Sequence, residues 1–255
     1  MTYFGFLASF IGVPLAILAG LAWGDHRSGR RLPDRLRGLP AWVGIAAFAV
    51  LALVYTTPWD NYLVANRVWY YDRQRVTGLV FGWVPVEEYT FFIVQTLLVG
   101  LWFVFLARRL KLPEGTAPRR TLPVLVAAVA LAWVGSLALL VLRWRPGTYL
   151  GLELAWFLPP ILLQLAFGAG ILWHYRRLVL SVLVSAVLYL SLADGIAIGA
   201  GVWTISPDAS TGVHFSSLPL EEFIFFTLTS ALIVFGMTLV LARESLAALP
   251  RWLRR

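Results

Sequence analysis

The 255-residue sequence has no cysteine, two methionines, three histidines and a single lysine, Lys111. Without cysteine there can be no disulfides, Cys-ligated zinc or iron–sulfur clusters. His26, His174 and His214 form no pair with the spacing of helical metal ligands, so no metal is expected. Lys111 falls in a loop, which excludes a seven-helix retinal protein whose last helix carries a Schiff-base lysine. No strand-borne G-x-G-x-x-G and no serine nucleophile elbow are present, so neither dinucleotide binding nor that class of hydrolase is indicated. Charge is scarce as well. Only 13% of residues are Asp, Glu, Lys or Arg, about half of the roughly 25% found in soluble domains.

Apolar sequence fills the space: 60% of the chain is hydrophobic. Seven runs, at 3–23, 41–57, 86–107, 121–143, 150–173, 179–200 and 220–242, approach or exceed the length of about 20 residues that crosses a hydrocarbon core of about 30 Å. Runs of this length read as helices, since lipid leaves the backbone no other partner. The expectation is an all-α integral membrane protein with seven transmembrane helices. Runs two and six are short or contain glycine and are expected to be tilted or broken. The N-terminus, "MTYFGFLASF", lacks the basic start of a signal peptide.

The net charge of +8 marks loops on one side of the membrane and does not call for a nucleic-acid partner. Arg27, Arg30, Arg31, Arg35, Arg37, Arg108, Arg109, Lys111, Arg119, Arg120, Arg176, Arg177, Arg243, Arg251, Arg254 and Arg255 belong to one side. Arg67, Arg73, Arg75, Arg143 and Arg145 belong to the other, a division of 16 against 5 of the 21 basic residues. The richer side is expected to be cytoplasmic and the N-terminus outside.

The sequence also repeats itself. A constant step of 134 takes Asp60 to Asp194, Trp69 to Trp203, Thr77 to Thr211, Gly78 to Gly212 and Pro85 to Pro219. The same step takes Glu87 and Glu88 to Glu221 and Glu222, and Phe91 and Phe92 to Phe225 and Phe226. A weaker match relates Tyr3 and Pro14 to Tyr149 and Pro160 at a step of 146. Tandem three-helix units would point in opposite directions, and a helix between them restores the direction. This predicts two parallel three-helix repeats joined by a linker helix, a 3+1+3 arrangement. The divisions are 1–107, 108–146 and 147–255, the last with a basic cytoplasmic tail.

Six of the 13 acids occupy the repeated positions Asp60, Glu87, Glu88, Asp194, Glu221 and Glu222. The plainer reading of Pro-x-Glu-Glu is a well-formed helix start, with proline at the first position and acids in the first turn. The other reading is functional, because ionisable groups at membrane depth are costly. Neighbouring glutamates point about 100° apart on a helix, so at most one of each pair can aim squarely at the bundle interior, leaving the other to orient it or face the interface. Phe91 and Phe92 follow one turn deeper on that wall. Asp60, in "TTPWDNY", reads more plainly as a helix end, whereas Asp194 sits in an apolar run. Trp69 and Trp203 suit an interfacial belt, or a pocket that stabilises a cation through the ring face. Gln95 and Gln164 suit interhelical hydrogen bonds. Acid–base chemistry on a bilayer molecule, or transport, is what remains.

"PWDN", "PVEEYTFF" and "PLEEFIFF", held in two three-helix halves, resemble the small membrane lycopene cyclases over about residues 3–242. In the second half "ADGIAI" stands where the first has "WDNYLV". The resemblance implies cyclisation of linear lycopene ends to β-rings: protonation by a carboxylic acid, closure of a tertiary cation, then loss of a different proton to a carboxylate. It implies a non-redox isomerase without cofactor, in the cytoplasmic membrane of a prokaryote, with the lipid bilayer and carotenoid-pathway enzymes as surroundings. Glu87 and Glu221 are the expected proton handlers, with Glu88, Glu222, Asp60 and Asp194 as partners or alternates. Trp69, Trp203, Phe91, Phe92, Phe225 and Phe226 are the expected substrate-binding walls. Related enzymes make ε-rings or cyclise C50 carotenoids. A small 3+1+3 transporter, sugar- or proton-coupled, is the alternative outside this family, and a scaffold subunit is a weaker one.

Overall fold

A long apolar run in lipid must satisfy its backbone within itself, and these runs do so as helices. The computed structural model describes residues 1–117 and 122–248, with side chains as far as Ser245. Seven of its helices are long and apolar enough to cross a membrane. These are α1 (Tyr3–Arg27), α2 (Ala41–Ala65), α3 (Val86–Ala107), α4 (Pro123–Val141), α5 (Thr148–His174), α6 (Arg176–Gly199) and α7 (Leu220–Leu241). A short α8 (Arg243–Ala248) follows. The chain is a mostly helical, multi-pass membrane protein.

Two corrections follow. The chain is not wholly α: β1 (Trp69–Tyr71) pairs antiparallel with β4 (Trp203–Ile205), β2 (Val80–Phe81) with β3 (Val84–Pro85), and β5 (His214–Phe215) with β6 (Leu218–Pro219). Runs two and six are also not broken. They form α2 and α6, of 25 and 24 residues, and α2 continues through Pro58. The irregular helices are instead the proline-bearing α1 and α5. A wide π-turn over Leu7–Gly12 precedes Pro14. Pro159 and Pro160 lie inside α5, which leaves helical geometry at Gly168 (φ −148°, ψ 30°). Proline removes a backbone donor and crowds the preceding turn, which accounts for the π-turn before Pro14; Gly168 lies eight residues past Pro160, where α5 meets α7 so closely that a Cβ would fall 2.3 Å from Leu239.

Helices α3 and α7 form the centre, each packed against several neighbours. Gln95 Nε2 of α3 donates to Thr229 Oγ1 of α7 at 3.1 Å, and the rings of Phe91 and Phe226 meet edge-on at 6.2 Å. Helix α2 lies close to both through small residues. A Cβ on Gly236 would fall 2.2 Å from the Phe48 ring, and one on Gly100 would fall 2.8 Å from Ile45. Such close approach is how helices pack where lipid supplies no hydrophobic drive. Helix α4 rests mainly against α5, with Leu140 over Gly151, and its remaining faces are exposed.

The two ends of the bundle differ. At one, Tyr3 N donates to Arg75 O (2.8 Å) and Tyr149 N to Ala209 O (2.9 Å), beside the three strand pairs. At the other, the Asp25 carboxylate is held by Arg109 (2.8 and 2.9 Å) and Arg108 (3.3 Å), joining α1 to the end of α3. Of the basic residues used to orient the chain, Arg119, Arg120, Arg251, Arg254 and Arg255 lie outside the described residues.

Candidate active site

Each Glu pair opens a helix immediately after a two-strand hairpin. Pro85 and Pro219, in extended conformation, are the N-caps of α3 and α7. The angular offset within each pair then gives the two carboxyls different work. Glu87 Oε1 accepts the Thr77 backbone N–H at 2.6 Å, and Glu221 Oε1 accepts that of Thr211 at 2.5 Å. The residue after each threonine is a glycine with positive φ, Gly78 at +81° and Gly212 at +75°, which lets the loop turn back over the helix start. Glu87 and Glu221 thus tie the loops to their helices.

Glu88 and Glu222 face inward. Glu88 Oε2 accepts two phenol hydrogen bonds, from Tyr3 at 2.5 Å and Tyr71 at 3.0 Å. Glu222 Oε1 accepts one, from Tyr149 at 2.8 Å. Burial and nearby carboxyls push the Tyr71 phenol, which lies on β1 outside the helices, well above its ordinary value. Tyr71 therefore keeps its proton and acts as a donor.

Glu88, Glu222 and Asp194 share one small cavity of about 30 Å³ with Tyr3, Tyr71 and Tyr149. Trp69, Trp203, Phe91, Phe225 and Phe226 complete its wall, and among the described residues no Lys, Arg or His lines it. The tryptophans stand over the tyrosines that hold the glutamates. Trp203 meets Tyr3 at 4.9 Å and Trp69 meets Tyr149 at 5.1 Å between ring centroids. Trp59 adds an inner layer, edge-on to Phe157 at 4.9 Å and stacked on Phe225 at 5.9 Å.

All six repeated carboxyls are buried, none above 8% exposed. Asp60 corrects the helix-end reading. It lies inside α2, fully buried, and neither carboxyl oxygen has a hydrogen-bond partner among the described residues. Asp194 lines the cavity from α6. Trp69 and Trp203 lie in the cavity wall, not in a lipid-facing belt. Phe92 is not in that wall and lines a second chamber deeper in the bundle. Gln95 bonds Thr229, and Gln164 Nε2 donates to Leu232 O at 3.0 Å, both between helices.

Four residues that matter here were not among the sequence candidates. Tyr3 and Tyr149 had carried a signal, the repeat match at a step of 146. Tyr71 had none, since its counterpart at the 134 step is Ile205. Glu153 sits one turn beyond Tyr149 on α5, fully buried and with neither oxygen partnered among the described residues. Its counterpart at the 146 step is Leu7, so no repeat pointed to it.

Together these features define a class: a membrane helix bundle with a carboxyl cluster desolvated among aromatic rings and free of cationic partners. The family model described as lycopene cyclase matches residues 33–106 and 147–240. A lycopene beta-cyclase of Halobacterium salinarum is 39% identical over 245 residues, 95% of this chain and 98% of that protein. A bifunctional lycopene cyclase/phytoene synthase of Aspergillus oryzae is 35% identical over 204 residues, 78% of this chain and 34% of that longer protein. A protein of the same description from Podospora anserina is 34% identical over 202 residues, 76% of this chain and 34% of that protein. No solved structure matches. The chain belongs to the lycopene cyclase family.

Proposed function

We propose that this protein is a lycopene β-cyclase of the cytoplasmic membrane, with Glu88 and Glu222 as its proton-handling pair. The observation that carries the reading is the cage itself: two inward carboxyls, each held by a buried phenol, around one cation-free aromatic cavity. Desolvated charge without a counter-ion is costly, so such a cluster is suited to holding protons. Lycopene offers only carbon to recognise. A carboxyl O–H bond breaks as a C–H bond forms at the terminal alkene. The tertiary cation left behind is attacked by the next alkene, forming the ring C–C bond. A carboxylate then takes a different proton from carbon, leaving the ring double bond. Electrons and atoms balance as an isomerisation. Trp69, Trp203, Phe91, Phe225 and Phe226 offer ring faces to the passing cation.

Glu87 and Glu221, favoured from sequence, are assigned to holding the Thr-Gly loops, and Asp60, Asp194 and Glu153 to the surrounding proton store. Phe92, from its place in the deeper chamber, is assigned to the substrate's stem. We read the architecture as two parallel three-helix repeats, 1–107 and 147–255, about a linker, with the N-terminus outside. The hydrogen bonds support that reading. Thr77–Glu87 matches Thr211–Glu221, and Tyr3–Glu88 matches Tyr149–Glu222. In the β1–β4 pair, Tyr70 lies opposite Thr204, its own counterpart at the 134 step. The family match leaves 107–146 uncovered, where the linker helix lies.

Expressing the chain in lycopene-accumulating bacteria and separating the pigments by chromatography tests the function. β-Ringed product is expected, and unchanged lycopene beside correctly inserted protein would refute it. A product with ε-rings would keep the mechanism and change its last proton.

A further inference from the structure

Two apolar chambers lie deeper in the bundle than the cage. The first, about 210 Å³, sits between α2, α3, α5 and α7 and includes Ala52, Tyr55, Phe92, Phe157, Phe225 and Thr229 in its wall. The second, about 370 Å³, sits between α1, α3 and α6 and includes Leu18, Leu98, Trp102, Ala186, Tyr189 and Leu190. They occupy corresponding places in the sequence. Leu51, Ala52, Tyr55 and Thr56 of the first become Ser185, Ala186, Tyr189 and Leu190 of the second at the 134 step. Leu232 and Ile233 become Leu98 and Val99 at the same step backwards, and Pro160 becomes Pro14 at 146. The tyrosines are even anchored alike. Tyr55 OH donates to Trp156 O and Tyr189 OH to Phe10 O, each at 2.7 Å.

The chambers differ in one respect that bears on chemistry. Phe225 walls both the first chamber and the carboxyl cage, whereas the second chamber shares no wall residue with the cage. The geometry points to the first chamber as the site for the polyene stem of the substrate, and to the second as one that takes no part. This inference rests on the cyclase reading above.

Size and depth support it. The cage, at about 30 Å³, has room for only a water or two, so a substrate end enters it by moving aromatic side chains, and the remaining hydrocarbon must lie elsewhere. Phe225 is the ring between the cage and the first chamber. From Glu222 in the cage to Ile233 at the far end of the chamber, α7 runs eleven residues, about 16 Å at 1.5 Å per residue. That is about half of a hydrocarbon core of roughly 30 Å. The wall's polar groups are mostly engaged: Gln95 with Thr229, Gln164 Nε2 with Leu232 O, Thr96 with Phe92 O. Among the buried side-chain polar atoms of the described wall residues, only Gln164 Oε1 lacks a partner. Leu51 at the rim is exposed on the bundle surface, so the chamber meets lipid between helices, where a hydrocarbon arrives. With one stem chamber against the cage, a substrate with two ends is processed one end at a time.

The duplicated sequence provides its own control. Ala52→Phe fills the first chamber and Ala186→Phe places the same ring at the corresponding point of the second. Both variants, with wild type, are assayed for ring formation in membranes and for lycopene binding, read as the induced circular dichroism of the bound polyene. Purified protein is checked for a single folded species by size exclusion. Ala52→Phe is expected to lower turnover by about tenfold or more, the scale on which misplacement acts, and to abolish the dichroism. Ala186→Phe is expected to stay within about twofold of wild type in both. If Ala52→Phe does not fold, Ala52→Leu reads the same contact. Equal activity in the two folded variants, whether both high or both low, overturns the assignment, as does loss confined to Ala186→Phe. If wild type forms no ring, the cyclase reading fails instead, and the binding signal alone decides the chamber.

Discussion

Removing the phenol oxygens around the two inward glutamates should slow the enzyme unequally, and the structure fixes the order. Glu222 has one phenol donor, Tyr149 at 2.8 Å, whereas Glu88 has two, Tyr3 at 2.5 Å and Tyr71 at 3.0 Å. A hydrogen bond to a charged group is worth about 1.5–3 kcal/mol. At about 1.4 kcal/mol per tenfold, losing the whole of it from a proton-handling step costs about 10- to 100-fold. Tyr149→Phe should therefore fall in that range. Tyr3→Phe leaves the Tyr71 bond in place and should lose less than about tenfold. The double variant Tyr3→Phe/Tyr71→Phe should drop to the level of Tyr149→Phe. The rings remain, so Tyr149 keeps its contact with Trp69 and Tyr3 keeps its contact with Trp203. Initial rates of ring formation in isolated membranes, normalised to protein by immunoblot, give the comparison. Tyr3→Phe as slow as Tyr149→Phe, or Tyr149→Phe at the wild-type rate, would show that the phenols do not set the carboxyls' chemistry.

Two further outcomes test the site. Glu88→Gln and Glu222→Gln should each lose about 10²–10⁴ in turnover, the usual range for acid–base groups. Glu87→Gln and Glu221→Gln still present an oxygen to the Thr77 and Thr211 N–H groups and should lose far less; the reverse order, read by the same rate assay, would return the proton chemistry to Glu87 and Glu221. In D₂O each new ring should carry up to one deuterium and a two-ringed product up to two, the full count when water reaches the carboxyls between ring closures, measured by mass spectrometry. Product with no added mass would show that the proton never exchanges with solvent.

Much of this was legible in the sequence. Hydropathy alone placed the seven spans, and the 134-residue step brought out the carboxyls that the fold buries. What composition could not decide was rotation. Glu87 and Glu88 are both buried and differ by one position, and only the packing of α3 against its neighbours selects which carboxyl enters the cavity. The same holds for Asp60. "PWDN" carries the marks of a turn, yet ending α2 there would leave backbone groups unpaired in lipid, and the helix runs on to Ala65. Tyr3 was visible only as half of a faint repeat. Glu153, without any counterpart in the repeat, was legible only as a lone acid in the apolar run 150–173. The strand pairs are two or three residues long, too short to leave an alternating pattern.

The smallness of the cage sets a rhythm for turnover. A space of about 30 Å³ admits a water or two but no six-membered ring, so a substrate end that enters by moving the aromatic side chains displaces any water held there. Wetting and catalysis must therefore alternate. On the proposed mechanism, a carbon skeleton in the cage takes the place of that water, and the cluster then uses the protons it already holds. On the same proposed mechanism, the proton taken from carbon at the end of one cycle stays behind on a carboxyl. If water enters before the next substrate end, that proton is diluted into solvent; if not, it is delivered to the next ring. A deuterium count between zero and one per ring would then serve as a clock, reporting how often the dry interior is visited by water relative to how fast lycopene follows itself in.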